Sequence, residues 1–293
     1  MEIKKGKNVT WIDIEKPLEK DLAWIQKEFD VHPVIIDELR VPSSRGKVEA
    51  YKNYLFFIYY FPIYDTEDEA SARAEIDFII TKDTIITVRY NPVKEIIDTF
   101  DIQPMGSPME VMYTLIEHLI NYEERQLRHI REKVELVGKE IFKDKERQVL
   151  ERITYLKRDV SEYRIIVRLQ GPIFHSLLAK GEKFWGKSAE VYLNDLIGDH
   201  LKIVNQLEDY REAISDFEHT NNQLMNMKIN SAMKTFTSLS FLTFPFLLIA
   251  ALFSMNTRDT PIVGLPYAFW IIIGIMAVGM ITLATYFKRK GWF

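Results

Sequence analysis

The 293-residue sequence contains no cysteine. That excludes a disulfide framework, a thiolate zinc site and a cysteine nucleophile, so any metal is expected on ligands other than thiolate, with carboxylate and amide oxygen the abundant ones. Nor is there a surplus of positive charge. Lys and Arg number 38 against 42 Asp and Glu, a net of −4, so the phosphate-neutralising excess of a nucleic-acid binder is missing and no nucleic-acid partner is expected. No Gly-rich phosphate loop, His-Glu-x-x-His zinc pattern or Gly-x-Ser-x-Gly elbow occurs, which argues against an enzyme. Disorder is excluded by what is present: 47% hydrophobic and 13% aromatic residues can bury a core.

The most informative scarcity is local. The mean hydropathy of −0.12 resembles that of a soluble protein. Yet only four of the 38 basic residues and one of the 42 acidic ones lie after Lys234, so residues 1–234 carry −7 and the last 59 carry +3. The tail holds two uncharged runs, 235–257 and 260–287. About 20 apolar residues suffice for a helix to cross a bilayer, so two transmembrane helices are expected. Lys228 and Lys234 precede the first run and Lys288, Arg289 and Lys290 end the second, whereas the intervening loop has one Arg and one Asp. Positive-inside bias then places both termini in the cytosol and the loop outside. Tyr267, Trp270, Tyr286 and Trp292 lie near span ends, where amphipathic aromatics prefer the interface. The opening MEIKKGKNVTWIDIEKP has no apolar run, so neither a signal nor a transit peptide is expected, and the acidic part is expected in the cytosol of a multi-pass cell (plasma or inner) membrane protein.

Residues 1–105 read as a cytosolic α/β domain, a small mixed sheet with helices packed on it. Strands are expected at 9–14, 47–51, 54–61, 75–80 and 84–90, and helices at 17–29 and 33–39. Residues 106–234 read as long helices: two over 108–178 with a break near 143–145, a turn at 181–187, and a last helix from about Ser188. No Gly or Pro occurs from Asp199 to Phe244, so this helix is expected to run straight into the first span (235–257). An outer loop (258–266), a second span (267–287) and a basic tail (288–293) complete the expected division.

Near the bilayer, Asn222, Asn226, Asn230, Met233, Thr237, Ser240, Phe244 and Leu247 recur at three or four and so share one helical face. Two readings are open. The face packs helices together through small and amide side chains, or several copies of it line a pore. A pore needs a homo-oligomer, because two spans cannot enclose a path. Bulky rings would then gate by dewetting, and amide and hydroxyl rings would meet a cation's water shell.

Ser254-Met255-Asn256, at the end of the first span, resembles the Gly-Met-Asn signature of the CorA-type magnesium channels, the two-transmembrane metal ion transporters. NSAMK (230–234) followed by TFTSLSFLTFPFLLIAALF, with Pro245, is similar to the family's pore helix. The ending YFKRKGWF, the stretch HPVIIDELRVPSSRGKVEAYKNYLFFIYYF (32–61) and Asp199-His200 also resemble the family, so the likeness runs in order along the whole chain. It implies a homopentameric funnel with one central pore in the lipid bilayer. The first span would line the pore, and Mg²⁺ would be both the transported and the regulatory ion. Asn256 would hydrogen-bond the hydrated cation, which suits an ion that dehydrates reluctantly. Asn230 would form a polar inner ring, Met233 and Phe236 an apolar gate and Phe244 a bulky ring, with Ser240 and Leu247 also on pore positions.

Departures from the family pattern bear on the ion. Ser254 stands where the signature has Gly, which tolerates strained backbone better. The loop TRDTPIVGLPY has one acid and a neighbouring Arg258, Leu247 removes one possible hydroxyl ring, and His219 stands near a common family acid. Sister branches carry Co²⁺, Ni²⁺ or Zn²⁺, so these remain alternatives, as does a non-conducting membrane-anchored scaffold or sensor. The family is also gated by divalent ions between cytosolic domains. By position, Asp37 and Glu38, with Asp195 and Asp199 on the long helix, are the carboxylates that would meet across a protomer interface. The acidic loop DTEDE (65–69) reads as a solvated turn and His32 as a local structural residue.

Overall fold

The computed structural model describes residues 1–65, 70–93, 106–143, 145–255, 261–262 and 264–290. The chain divides into two units, Met1–Glu218 and His219–Phe293, and one helix contributes to both. The first unit contains strands β1 (Glu2–Lys5), β2 (Thr10–Glu15), β3 (Val48–Ala50), β4 (Leu55–Asp65), β5 (Ala70–Ile80) and β6 (Thr84–Arg89). They form one sheet in the order β1-β2-β6-β5-β4-β3, antiparallel throughout except for the parallel pair β2 and β6. With them fold α1 (Glu19–Phe29), α2 (Pro33–Glu38), α3 (Pro108–Glu140), α4 (Glu146–Arg168) and α5 (Gln170–Trp185). Two further helices follow, α6 (Ala189–Phe253) and α7 (Ala268–Arg289).

The central strands are apolar on both faces because helices cover the sheet. Every residue of β6 is buried, and β4 buries Leu55 through Phe61. Phe57 and Phe78 are register partners on β4 and β5, and their rings stack at 4.5 Å. Each such side chain contributes about 1.5–3 kcal/mol on burial. The parallel pair is fixed by a buried polar ladder: Arg89 Nε donates to Asp13 Oδ2 at 2.9 Å, Thr87 Oγ1 to Asp13 Oδ1 at 2.6 Å, and Trp11 Nε1 to Thr87 Oγ1 at 3.1 Å. Burial pushes the Asp13 carboxyl up, while Thr87 and Arg89 pull it down. On β5, Glu75 accepts from the Ser43 amide at 2.8 Å and Asp77 from the Tyr90 hydroxyl at 2.9 Å. Burial raises both carboxyls.

Three expectations change. The edge strand β1 was not expected, because EIKK is polar and an edge strand needs little apolar surface. The expected turn over 181–187 is helix as far as Trp185. Gly181 is a packing residue there, since a Cβ on it would lie 3.0 Å from both Leu193 Cδ1 and Trp185 Cζ3. Gly171 and Pro172 do not end a helix either. They sit in the first turn of α5, where a missing N–H costs little, but α4 ends just before them at Arg168, so three helices rather than the two expected occupy 108–185. α6 is continuous for 65 residues and passes through Pro245. Of the loop 65–69, residues 66–69 lie outside the described residues, as does residue 144 in the break between α3 and α4.

A buried polar chain joins the sheet to the long helices. Gln170 on α5 donates to Tyr60 O at 2.9 Å and to Glu123 Oε1 on α3 at 2.6 Å, and its Oε1 lies 3.1 Å from His200 Nδ1 on α6. Tyr163 on α4 donates to Glu123 O at 2.8 Å. Burial pushes the Glu123 carboxyl up to about 8 and the His200 imidazole down to about 4, so both groups are neutral near pH 7. The signs give a pH window. The folded state holds the Glu123 proton from 4.5 to about 8, so that group lowers stability as pH rises across this range. The unfolded state holds the His200 proton from about 4 to 6.5, which lowers stability as pH falls. The slopes oppose below 6.5; above it the His200 slope is gone, and that of Glu123 has the same sign as that of the raised Glu75 and Asp77 carboxyls. The melting temperature of the purified chain is therefore expected to fall by several degrees from pH 6.5 to 8. Glu123→Gln should reduce that slope; a variant with the full wild-type slope would locate the titration elsewhere.

Candidate functional site

In the second unit, two opposite faces of α6 have different surroundings. At about 100° per residue, Ser238, Leu242, Pro245, Ile249 and Phe253 share one side. These residues are buried or half-buried, and Phe246 beside them is also buried. The matching side of α7 carries Ile272, Met276, Gly279, Leu283 and Phe287, which with Ala268 and Ala284 are its less exposed residues. Gly279 makes room for Phe246, since a Cβ there would lie 3.0 Å from Phe246 Cε1. Small residues at such contacts let helices approach in lipid.

The stripe singled out in the sequence centres roughly 180° from this packed side. Asn222, Asn226, Asn230, Thr237 and Ser240 are exposed, as are Met233 (61%), Phe236 (71%), Phe244 (70%) and Leu247 (69%). The packing role open to this stripe is thus carried, within one chain, by the other side of the helix. Its hydroxyls bond their own helix: Thr237 Oγ1 donates to Met233 O at 2.8 Å and Ser240 Oγ to Phe236 O at 2.9 Å. A hydroxyl bonded this way has its proton satisfied and turns oxygen lone pairs outward. His219 Nε2 lies 2.9 Å from Gln223 Nε2, one turn on.

At the end of α6, the Ser254 amide donates to Ala250 O at 3.0 Å and its hydroxyl to Ala251 O at 2.7 Å. Ser254 thus continues the helical ladder and does not need the backbone freedom of glycine. The Met255 amide donates to Leu252 O at 3.3 Å. Asn256, Arg258, Asp259 and Trp292 lie outside the described residues.

The four candidate regulatory carboxylates are each engaged within their own chain. Asp37 pairs with Arg40, which also holds Glu19 at 2.8 Å. Glu38 meets Lys47 Nζ at 2.6 Å. Asp195 accepts from the Tyr113 hydroxyl at 2.7 Å, and Asp199 meets Lys202 Nζ at 2.8 Å. Among the described residues of one chain, no group of three or more acidic or imidazole side chains is arranged to hold a metal. His32 has the structural role expected of it, capping α2 by accepting from the Val34 amide at 3.2 Å. The sequence reading did not pick out the buried Glu123, whose only signal was an acid on the apolar stripe of a helix, or the packing role of Gly279.

These features define a class: a membrane protein with two apolar helices and a large mixed α/β unit from which one long helix runs into the first apolar stretch. The chain belongs to the CorA-like Mg²⁺ transporter protein family, which matches residues 6–289. It is 23% identical over 291 residues to the cobalt/magnesium transport protein CorA of Thermotoga maritima, covering 97% of this chain and 83% of that protein. It is 20% identical over 294 residues to the cobalt/magnesium transport protein CorA of Methanocaldococcus jannaschii, covering 96% and 90%. Its fold matches the complete structure of the CorA magnesium transporter from M. jannaschii with a TM-score of 0.85 at 20% identity, covering 98% of this chain and 92% of that one. The chain is thus a CorA-like divalent metal transporter of a membrane, in a family of transporters rather than enzymes.

Gly279→Leu should force α7 away from Phe246. The expected outcome is loss of a folded, monodisperse species in detergent, read by size-exclusion chromatography, while Gly279→Ala should be tolerated with a lowered melting temperature. An unaffected Leu variant would mean that the two helices do not pack through this contact.

Proposed function

We propose that this chain forms a homopentamer whose central pore passes hydrated Mg²⁺ across the cell membrane, with both termini in the cytosol. The observation that carries the reading is the uncharged stripe of α6, exposed and opposite the side that packs on α7. Five copies turned inward would stack rings of amide (Asn222, Asn226, Asn230), hydroxyl (Thr237, Ser240) and bulky apolar groups (Met233, Phe236, Phe244, Leu247). Neutral oxygen rings suit an ion that keeps its water, because they bond to the water shell without stripping it. Asn256 would select the ion at the outer mouth, next to Ser254 and Met255. Residues 235–257 and 267–287 would be the spans and 258–266 the outer loop.

In the closed state, cytosolic divalent ions would bridge Asp195 or Asp199 of one protomer to Asp37 or Glu38 of the next. The partners of Asp37, Asp195 and Asp199 in a single chain are exposed ion pairs or a hydroxyl, which a divalent ion can displace, while Glu38 would exchange a part-buried pair with Lys47. Co²⁺ is the second reading, supported by the similarity to proteins named as cobalt/magnesium transporters.

Purified chain in proteoliposomes should take up Mg²⁺ down a gradient; no divalent uptake would overturn the transport reading. Asn256→Ala should abolish or redirect ion preference. Met233→Asp should wet the apolar constriction and raise uptake several-fold at inhibitory internal Mg²⁺, and an unchanged rate would move the gate from this ring. Millimolar Mg²⁺ should protect the chain from proteolysis. That protection should disappear in an Asp195→Asn, Glu38→Gln double variant if the carboxylates hold the regulatory ion.

A further inference from the structure

One cleft lies away from both the stripe and the carboxylate pairs. It opens at the end of the sheet where β2 begins, beside the β3–β4 and β5–β6 turns, and the last turns of α1 and α5 also line it. Its volume is about 1240 Å³, room for a ligand well beyond a single phosphate. Five lysines from four parts of the fold line it: Lys5 on β1, Lys52 after β3, Lys82 in the β5–β6 turn, and Lys180 and Lys183 on α5. Only two acids join them, Glu28 and Asp83, and Asp83 is engaged by the hydroxyls of Thr81 at 3.1 Å and Thr84 at 3.2 Å.

This local charge runs against its surroundings. Six of the 38 basic residues and one of the 42 acidic ones follow Glu218, so the first unit carries a net −9. The cleft lining carries +3. Lys180 donates to the Val48 carbonyl. Lys5, Lys52, Lys82 and Lys183 form no ion pair among the described residues. Lys183 complements the carbonyl end of α5, but the other three stand at no helix end that they could neutralise. Four ammonium groups without an ion-pair partner, in a lining of net +3, favour a polyanion.

The walls add a second kind of recognition. Trp24 and Phe29 of α1 meet edge to face at 5.6 Å, as do Phe184 and Trp185 of α5, and Tyr51 lines the cleft beside Lys52. All five rings are only half-buried, so aromatic surface remains for a planar group. Inorganic phosphate would use the lysines and none of this surface.

We propose that this cleft binds a nucleoside triphosphate, with the phosphates held by Lys5, Lys52, Lys82 and Lys183 and the base against the aromatic walls. Binding is read without ion flux, so its failure and the failure of the pore reading are separate outcomes. The test uses the full chain in detergent at fixed free Mg²⁺, because nucleotides chelate that ion. Calorimetry and tryptophan fluorescence would compare ATP, tripolyphosphate and adenosine. ATP should bind with an affinity that falls as salt rises, and should exceed both tripolyphosphate and adenosine by about tenfold or more. The Lys52→Glu, Lys82→Glu double variant should lose about tenfold or more in ATP affinity with an unchanged melting temperature in the absence of ligand, since neither ammonium group has an ion-pair partner among the described residues or stands at a helix end. Tripolyphosphate binding as tightly as ATP, or ATP binding unaffected by the double variant, would overturn the proposal, as would no ATP binding at all.

Discussion

Hydrocarbon offers no hydrogen bonds, so a segment that crosses it must satisfy its own polar groups. α6 meets that constraint while keeping polar atoms on its surface. Thr235, Thr237, Ser238, Ser240 and Thr243 each donate to the carbonyl one turn back, with distances from 2.8 to 3.1 Å. Charge is absent from 235–257, because an ion at that depth is costly unless it is paired. A helix under these limits can present a neutral, oxygen-bearing surface and little else. That surface suits a cation which retains its water, and the proposed conduction of hydrated Mg²⁺ follows from the same constraint that makes the segment stable in lipid. The opposite side of α6 meets α7, whose Gly279 admits Phe246, and the polar stripe stays exposed, as do the apolar flanks at Leu239, Phe241, Leu248 and Leu252.

The first unit has its own solution to polar burial. Glu123, Gln170 and His200 are all buried and joined through Gln170, which also holds the β4 backbone at Tyr60. Burial keeps the acid protonated and the imidazole neutral, so the chain of bonds carries no net charge. One amide side chain thereby connects the sheet, α3, α5 and the start of α6. Surface pairs continue the attachment along α6, with Arg164 meeting Glu208 at 2.6 Å and Lys157 meeting Glu218 at 2.7 Å. Divalent ions at the proposed carboxylates on α2 and α6 would therefore act on elements that share this core.

Much of the fold was legible because its signals were extreme. Two uncharged runs marked α7 and the membrane end of α6, and an unbroken stretch from Asp199 predicted that the long helix enters the first run without a joint. β4 and β6 were visible as aromatic and β-branched segments. What was misread involved residues whose meaning depends on neighbours distant in sequence. Gly181 looks like a turn residue until Trp185 and Leu193 are placed against it, and the boundary between α4 and α5 at Leu169 interrupts a stretch read as one helix. β1 has no apolar face to announce it. The stripe was legible as a face, but its separation from the packed side depended on where α7 lies. The carboxylates were legible as oxygen ligands, yet pairing between copies is not written in one chain, and their local partners Arg40, Lys47, Tyr113 and Lys202 were not foreseen.

The absence of cysteine provides a clean background for the central claim, that the exposed stripe of α6 faces water and ions while its other side faces α7. Single cysteine substitutions at Met233, Thr237, Ser240, Phe244 and Leu247, and at Ser238, Leu242, Phe246 and Ile249, can be treated with a water-soluble thiol reagent in proteoliposomes while divalent uptake is followed. The account predicts modification and block of uptake at the first set, recurring every three or four residues, and silence at the second. Equal reactivity around the helix, or block confined to the side that packs on α7, would contradict it.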